Sequence, residues 1–457
     1  MSLFSSICYL KLEQRGAFDK GITMTDDAGT KEGGRDASIL FQGVRIFDGK
    51  SEKLKDNMNL LVVGDRIEIM SHHAIKTPEG TTIIDGRGRV LTPGFIDAHF
   101  HCMFYRTISE TISTTPWVAG IWAKEALELA LMRGFTTIRD CGGADGSIAW
   151  AVDHGYIKGP RLFPSGMAIS QTGGHGDFRP PYASHPYFGC FRDGPHSIKG
   201  LSVIANGPDE VREAARENLK NGATQIKLMA SGGVVSQYDP LHVVEYTPEE
   251  VRAAVSAAAN WGTYVTAHAY NPASVRMLME NGVKVIEHGH LLDEETIRLA
   301  SEKGVIICTQ IVNYWALDKF GDEEGLTAEN IRKNRQALEG FDGIIPLLKK
   351  YRIKTGFGTD LVGPVHRFQN KEFTLRAEYF TPVEILRQAT SESAEIIRMC
   401  GPLNCYGMFG EVKEGYLADL LLIDGEPLAD ISILENPEKC LQVIMKDGKI
   451  YKNISGR

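Results

Sequence analysis

Short apolar runs alternate with amphipathic stretches through the middle of the chain. The runs predict strands over Phe95–His101, Thr136–Asp140, Arg161–Ile169, Gln225–Ala230, Tyr264–His268, Lys284–His288, Val305–Thr309 and Lys354–Thr359. The stretches between them predict helices over Trp117–Arg133, Asp209–Asn221, Pro248–Trp261, Ala273–Asn281, Glu294–Lys303, Ala328–Tyr351 and Pro382–Cys400. Thr247-Pro248-Glu249-Glu250 and Thr381-Pro382-Val383-Glu384 each put Thr at the N-cap, Pro at the first helical position and Glu two residues later. That arrangement satisfies the orphan amides of a helix start. Strands alternating with helices predict an α/β fold, a (β/α)8 TIM barrel. A doubly wound open sheet is the competing arrangement, but no Gly-rich phosphate fingerprint follows the first strand to support it.

The two ends of the chain read differently. Ile39–Phe41, Val44–Phe47, Leu60–Val63 and Arg66–Ile69 are β-rich runs separated by Asp48-Gly49 and Gly64-Asp65 turns. Glu414–Ile423, Leu441–Met445 and Lys449–Tyr451 repeat that texture at the far end, with turns at Asp424-Gly425 and Asp447-Gly448. Neither β unit buries both its faces alone. A small composite β-sandwich domain built from both chain ends is therefore expected. The domain organisation reads as a polar extension over 1–37, an N-terminal sandwich segment over 38–92, the barrel over 93–400, and a C-terminal sandwich segment over 401–457. The segment from Ser170 to Pro208 is rich in Gly, Pro, His and aromatics and lacks periodicity. It follows a strand's C-terminal end, so it is expected over the barrel mouth. Residues 310–330 are read as a second specificity loop.

The chain has 457 residues, room for a barrel and a second unit. Its formal charge of −8 argues against nucleic acid or an anionic membrane as partner, and no apolar run spans a bilayer. No signal peptide is read at Met1–Tyr9. Cys8, Cys102, Cys141, Cys190, Cys308, Cys400, Cys405 and Cys440 form no CxxC pair, which suits free thiols in a cytoplasmic, reducing setting.

The chemistry collects at strand ends. His99 and His101, one residue apart on a strand, project to the same face and can hold a metal ion between them. Cys102, the next residue, points away and reads as packing. Lys227 lies on the fourth strand, His268 ends the fifth, His288 the sixth, and Asp360 the eighth. Each has a mundane alternative, such as a hydrogen-bonded His or a helix-capping Asp. Together they converge on one barrel mouth, which favours a metal site. His72 and His73 are read as surface residues.

From Ser38 to Lys452 the sequence resembles the amidohydrolase superfamily. The resemblance rests on Pro93-Gly94-Phe95-Ile96-Asp97-Ala98-His99-Phe100-His101, the barrel lysine, two single histidines and Gly358-Thr359-Asp360. Pro164–Asp177 and Lys227–Ser236 resemble the branch that holds ochratoxinase, Xaa-Pro dipeptidases and related metallo-carboxypeptidases. The resemblance implies a binuclear site, usually zinc, with Lys227 carboxylated by CO₂ so that an anionic oxygen ligand replaces a repelled ammonium. His99, His101, Lys227 and Asp360 would hold one ion; Lys227, His268 and His288 would hold the other. Asp360 would accept a proton from the attacking water and pass it to the leaving amine.

The implied reaction is hydrolysis of an amide that releases an amino acid, as in an N-acyl amino acid, a dipeptide or an ochratoxin-like amide. Hydrolysis of a cyclic amide, carbamate, ester or deaminated ring is the alternative, and a non-enzymatic scaffold the third. His175 is the candidate for the substrate carboxylate, unless it only organises its loop through Asp177; Tyr238 is a weaker candidate. Tyr270 stands where many relatives carry another His, so the surroundings of His268 are expected to differ. His290, His366 and Arg367 lie near the expected mouth. The expected partner is a small-molecule substrate, with a homo-oligomer implied by the relatives.

Overall fold

The computed structural model describes residues 37–179, 197–198 and 200–456. Residues 1–36 of the polar extension read over 1–37, Cys8, Cys190 and the middle of the Ser170–Pro208 segment lie outside the described residues. The strands in chain order are β1 (Ser38–Ile46), β2 (Lys55–Val63), β3 (Arg66–Ser71), β4 (Thr82–Asp85), β5 (Val90–Pro93), β6 (Phe95–Phe100), β7 (Phe135–Asp140), β8 (Arg161–Phe163), β9 (Ala168–Ser170), β10 (Ser197–Ile198), β11 (Ser202–Ile204), β12 (Ile226–Met229), β13 (Val265–Ala269), β14 (Val285–His288), β15 (Ile306–Cys308), β16 (Leu420–Ile423), β17 (Leu441–Lys446) and β18 (Lys449–Asn453). The fold is α/β. Among the described residues no helix is long and apolar enough to cross a membrane.

Two sheets carry the middle of the chain. One runs β6-β7-β8 and the other β10-β11-β9-β12-β13-β14-β15, parallel throughout except at β10. Parallel strands buried on both faces read as apolar runs, which is why the sequence displays them clearly. The ladders do not join into one closed barrel. Residues 354–359, expected as the eighth strand, contribute one parallel bridge, Thr309 to Phe357. Ala98 N donates to Phe357 O at 2.7 Å and Ile307 N to Lys354 O at 3.2 Å, so this segment still lies between β15 and β6. Its ladder stops because Asp360 turns left-handed (φ +54°) and donates its N–H to His99 O at 2.7 Å.

Four other expected elements differ. The run Val90–His101 is divided between β5, in the terminal sheet, and β6. Gly94 at the break donates to Asp419 O at 2.9 Å, and a Cβ there would stand 2.1 Å from Thr136 Oγ1. Arg161–Ile169 splits into β8 and β9, because Pro164 has no ladder donor and Gly166 takes φ +72°. Pro382–Cys400 is helical, but a π turn over Gln388–Glu392 separates Pro382–Arg387 from Ser393–Arg398. Ser393 Oγ donates to Gln388 O at 2.6 Å across that turn. Residues 310–330, read as a loop, contain the helix Val312–Phe320.

The chain ends share one sheet in the order β18-β17-β16-β5-β1-β2-β3, with β4 beside β1. Instead of two stacked sheets, this one curls: Ile67 N donates to Tyr416 O at 3.0 Å and Ala418 N to Asp65 O at 2.8 Å. The curl encloses Phe41, Val44, Leu60, Val62, Leu420 and Leu422. Arg161, fully buried, ties this sheet to β8. It donates to Asp419 Oδ2 at 2.7 Å and Oδ1 at 3.2 Å, to Asp447, and to Thr137 Oγ1 at 3.0 Å.

Candidate metal centre

The six candidate ligands reach one pocket from separate elements. His99, on β6, and His101, just past it, each place Nε2 at 3.1 Å from Asp360 Oδ1. Lys227 on β12, His268 on β13 and His288 ending β14 line the same pocket. The His99 and His288 rings are 5.1 Å apart and those of His268 and His288 4.6 Å apart. His288 (φ +72°) and Asp360 (φ +54°) both hold left-handed backbone, a strain that concentrates at functional sites.

Hydrogen bonds fix how these side chains face. His99 Nδ1 meets Glu287 Oε2 at 2.7 Å, and His101 Nδ1 meets Gly142 O at 3.2 Å. Donation from each Nδ1–H leaves the Nε2 lone pair directed at Asp360. His268 Nε2 meets Gly232 O at 3.2 Å, which leaves its Nδ1 as the available atom. His288 Nδ1 meets Tyr314 Oη at 2.8 Å, and Tyr314 meets Tyr270 Oη at 2.6 Å. Two nitrogen lone pairs aimed at one carboxylate oxygen repel unless a proton or a cation lies between them. Ligand atoms of His99, His288 and Asp360 lie within 4.8 Å of one another. This donor set of imidazoles and carboxylate fits divalent metal ions.

Burial and neighbouring charge set the protonation. Burial pushes the Asp360 carboxyl up, but when a proton rather than a cation sits on Nε2, the His99 charge and the hydrogen bonds then donated by His101 and His99 hold it well below the usual carboxylate range. Burial drives His268 and His288 well below the ordinary imidazole value, reinforced for His268 by His175 and opposed for His288 by Asp360. Both are therefore neutral imidazoles. Burial alone would raise Glu287, yet Arg139 and His99 keep it ionised. Asp97 accepts from Thr359 Oγ1 at 2.6 Å and Gln369 Nε2 at 3.0 Å, so it pins the Asp360 segment to β6.

His175 lies in the pocket wall, its ring 4.2 Å from that of His268 and nearly parallel. Its Nδ1 meets Ser236 Oγ at 2.7 Å and Asp239 Oδ2 at 3.5 Å, not Asp177, which instead pairs with Arg179. Tyr238 does not line the pocket of the six candidate ligands. It lines an adjoining outer cavity of about 490 Å³, which shares Ile108, Phe178, Val235 and Val362 with the pocket of the candidate ligands. His290 is buried behind the site against Ala337 O, and His366 packs between Phe100 and Tyr105; neither lines the pocket. Arg367 stacks on Phe320 and Phe368 and also stays out of it. Cys102 is buried in apolar packing, and His72 and His73 are exposed.

Sequence reasoning passed over several residues here. Glu287 and Arg139 hold His99 from behind, and a charged residue inside an apolar strand was their visible signal. Asn313 Nδ2 donates to Asp360 Oδ2 at 3.2 Å. Nothing in the sequence marked Asn313 or Tyr314, because both come from the helix that reads as a loop.

Glu245 also sits beside the pocket, accepting the His175 N–H at 2.9 Å and 3.2 Å. Burial, then the charge of Asp239, push it up to about 9. An unfolded Glu loses its proton near 4.5 while the folded one keeps it to about 9, so stability falls as pH rises through that window. Glu245→Gln stays neutral and should remove this slope. The variant should melt higher than wild type at pH 8, by on the order of 1–3 kcal/mol, with little difference at pH 5, as read by thermal unfolding.

The Amidohydrolase family model matches residues 90–451. The chain is 30% identical over 430 residues to ochratoxinase of Aspergillus niger, covering 91% of this chain and 86% of that protein. Among solved structures, a prolidase complexed with N-methylphosphonate-L-proline superposes with a TM-score of 0.85 at 37% identity, covering 91% of this chain and all of that one. A Xaa-Pro dipeptidase with methionine bound in its active site gives 0.80 at 28% identity, with 91% and 100% coverage.

Proposed function

The chain belongs to the amidohydrolase family and is a hydrolase acting on carbon–nitrogen bonds; from that premise we propose that it cleaves an amide joining an acyl group to an amino acid. The observation that carries this reading is the meeting of His99 and His101 on one oxygen of Asp360, beside Lys227, His268 and His288. In this reading the middle of the chain is a (β/α)8 barrel and the terminal sheet a separate unit. His99, His101, carboxylated Lys227 and Asp360 hold one divalent ion, and Lys227, His268 and His288 the other, with zinc the expected metal. The carbamate adds negative charge that four neutral imidazoles and one carboxylate do not supply to two dications.

When bound, the ions polarise the carbonyl and lower the pKa of water. Asp360 takes a proton from water as its oxygen bonds to the carbonyl carbon. It returns that proton to nitrogen as the carbon–nitrogen bond breaks, giving a carboxylic acid and an amino acid. Phe104, Ile108, Phe178, Val234 and Val235 give the pocket an apolar wall suited to the acyl group. His175, with Asp239 and Ser236 behind Nδ1, is placed to receive the amino acid's carboxylate. The support for an amino-acid product is the names of the relatives together with this placement.

Metal-stripped protein reloaded with zinc should hydrolyse members of a panel of N-acyl amino acids and dipeptides, and a chelator should abolish the turnover. His175→Ala should raise KM for carboxylate-bearing substrates about 10- to 100-fold with a smaller change in kcat, the loss of one charge-assisted hydrogen bond. Preferred turnover of esters or lactams lacking a carboxylate would overturn the reading.

A further inference from the structure

The pocket that gathers His99, His101 and Asp360 is small. Its volume is about 60 Å³, and one water's share of the liquid is about 30 Å³. It has room for a scissile amide and little more of an N-acyl amino acid, so the rest of the substrate must extend outward. Most of the pocket lining is buried; the half-buried side chains are Ile108, His175, Phe178, Val235, Asp360 and Val362. The four apolar ones among these also line the outer cavity of about 490 Å³, and His175 does not. The approach to Asp360 therefore runs through an apolar neck into that cavity. Beyond the neck, Ile112 on the helix Ile108–Ser113 and Leu326 continue the apolar surface. Arg179, the cation of this lining among the described residues, is spent on Asp177: its Nε donates to Oδ1 at 2.7 Å and its Nη2 bonds Oδ2. Glu324 adds a further acid. The cavity thus offers an anionic tail no unpaired cation.

We infer that the outer cavity is the subsite for the far part of the acyl group, so that the enzyme selects amides of long, uncharged, apolar acyl groups over short or carboxylate-ended ones. This inference rests on the amide-hydrolase reading above. His175 lines the inner pocket alone, so the amino acid's carboxylate is held inside and the acyl end points out through the neck. A cavity of this volume is in the range that encloses most of a drug-sized ligand. Each methylene drawn from water into apolar surroundings strengthens binding about three- to fourfold. An acyl group of two carbons stops short of the neck and forgoes that gain, whereas one of eight carbons passes it. A carboxylate at the far end of the same chain would be stripped of water without a cation to receive it.

The test uses the zinc-loaded full chain and one amino acid, alanine, joined in turn to acetyl, butyryl, hexanoyl, octanoyl and suberoyl groups. Wild type should gain about 100-fold in kcat/KM from acetyl to octanoyl. Suberoyl, of the same length but ending in a carboxylate, should fall about tenfold or more below octanoyl. Ser109 and Gln237 are exposed and line the outer cavity but not the inner pocket. Ser109→Trp and Gln237→Trp put an indole into the cavity from the helix and from the loop, and each should cut the octanoyl-to-acetyl ratio by about tenfold. A wild-type series that stays flat or falls with chain length, equal octanoyl and suberoyl rates, or a ratio unmoved by both substitutions would overturn the inference and leave the hydrolase reading standing. Turnover of no member would overturn both.

Discussion

Asp360→Asn should lower kcat by about 10³-fold or more while leaving the protein folded and metal-loaded, since general acid–base groups contribute roughly 10²–10⁴. The substitution keeps the size of the side chain and an oxygen facing His99 and His101, which stand 3.1 Å away. It removes the capacity to take and return a proton. The Asp360 carboxyl is held well below its ordinary value, so wild type is already ionised at mildly acidic pH and ready as a base. Steady-state rates paired with measured metal content separate the two consequences. A variant at half the wild-type rate with full metal would remove Asp360 from proton transfer.

Arg161→Met should destabilise the protein by about 3–5 kcal/mol, the range for removing one partner of a buried ion pair. Arg161 is 1% exposed and bonds both oxygens of Asp419, 258 residues further along the chain. Without the guanidinium, the buried Asp419 loses its bonded cation, and Asp447 keeps Lys446 at 3.6 Å. Denaturant unfolding should show the midpoint fall. Adding Asp419→Asn and Asp447→Asn to the same chain should recover some of the loss, because the three groups act as a unit. A change below about 1 kcal/mol in the single variant would show that solvent reaches the pair.

The strands that hold the site were legible because parallel buried strands are uninterrupted apolar runs. His99, His268 and His288 stand at or one residue short of the ends of their strands, where a polar residue breaks the run, and Lys227 breaks its run from within β12. What was illegible depends on backbone detail or on distant partners. Gly94 and Pro164 each interrupt a run that reads as continuous, and only the approach of Thr136 or the missing ladder donor reveals it. The segment over 354–359 carries a strand-like composition, but two donors, Thr359 N and Asp360 N, converge on His99 O and end the ladder. Asn313 lies in a helix of mixed polarity with no amphipathic stripe, so neither its element nor its reach into the pocket shows in the sequence. His175 was placed at the mouth, but its partners Ser236 and Asp239 come from another loop.

The register of β5 against β16 bears on how the chain acquires its shape. Pro93 sits opposite Leu420 and Val90 opposite Ile423, while β5 touches β1 at only two positions. Pairing over so many intervening residues carries a large loop-closure entropy and slows folding. During synthesis the strand bearing His99 emerges early, but the neighbour that braces its base is made near the end. Chains still on the ribosome would hold the histidine pair on an unbraced strand, and competence to bind cations should arise late, after β16 has left the exit tunnel.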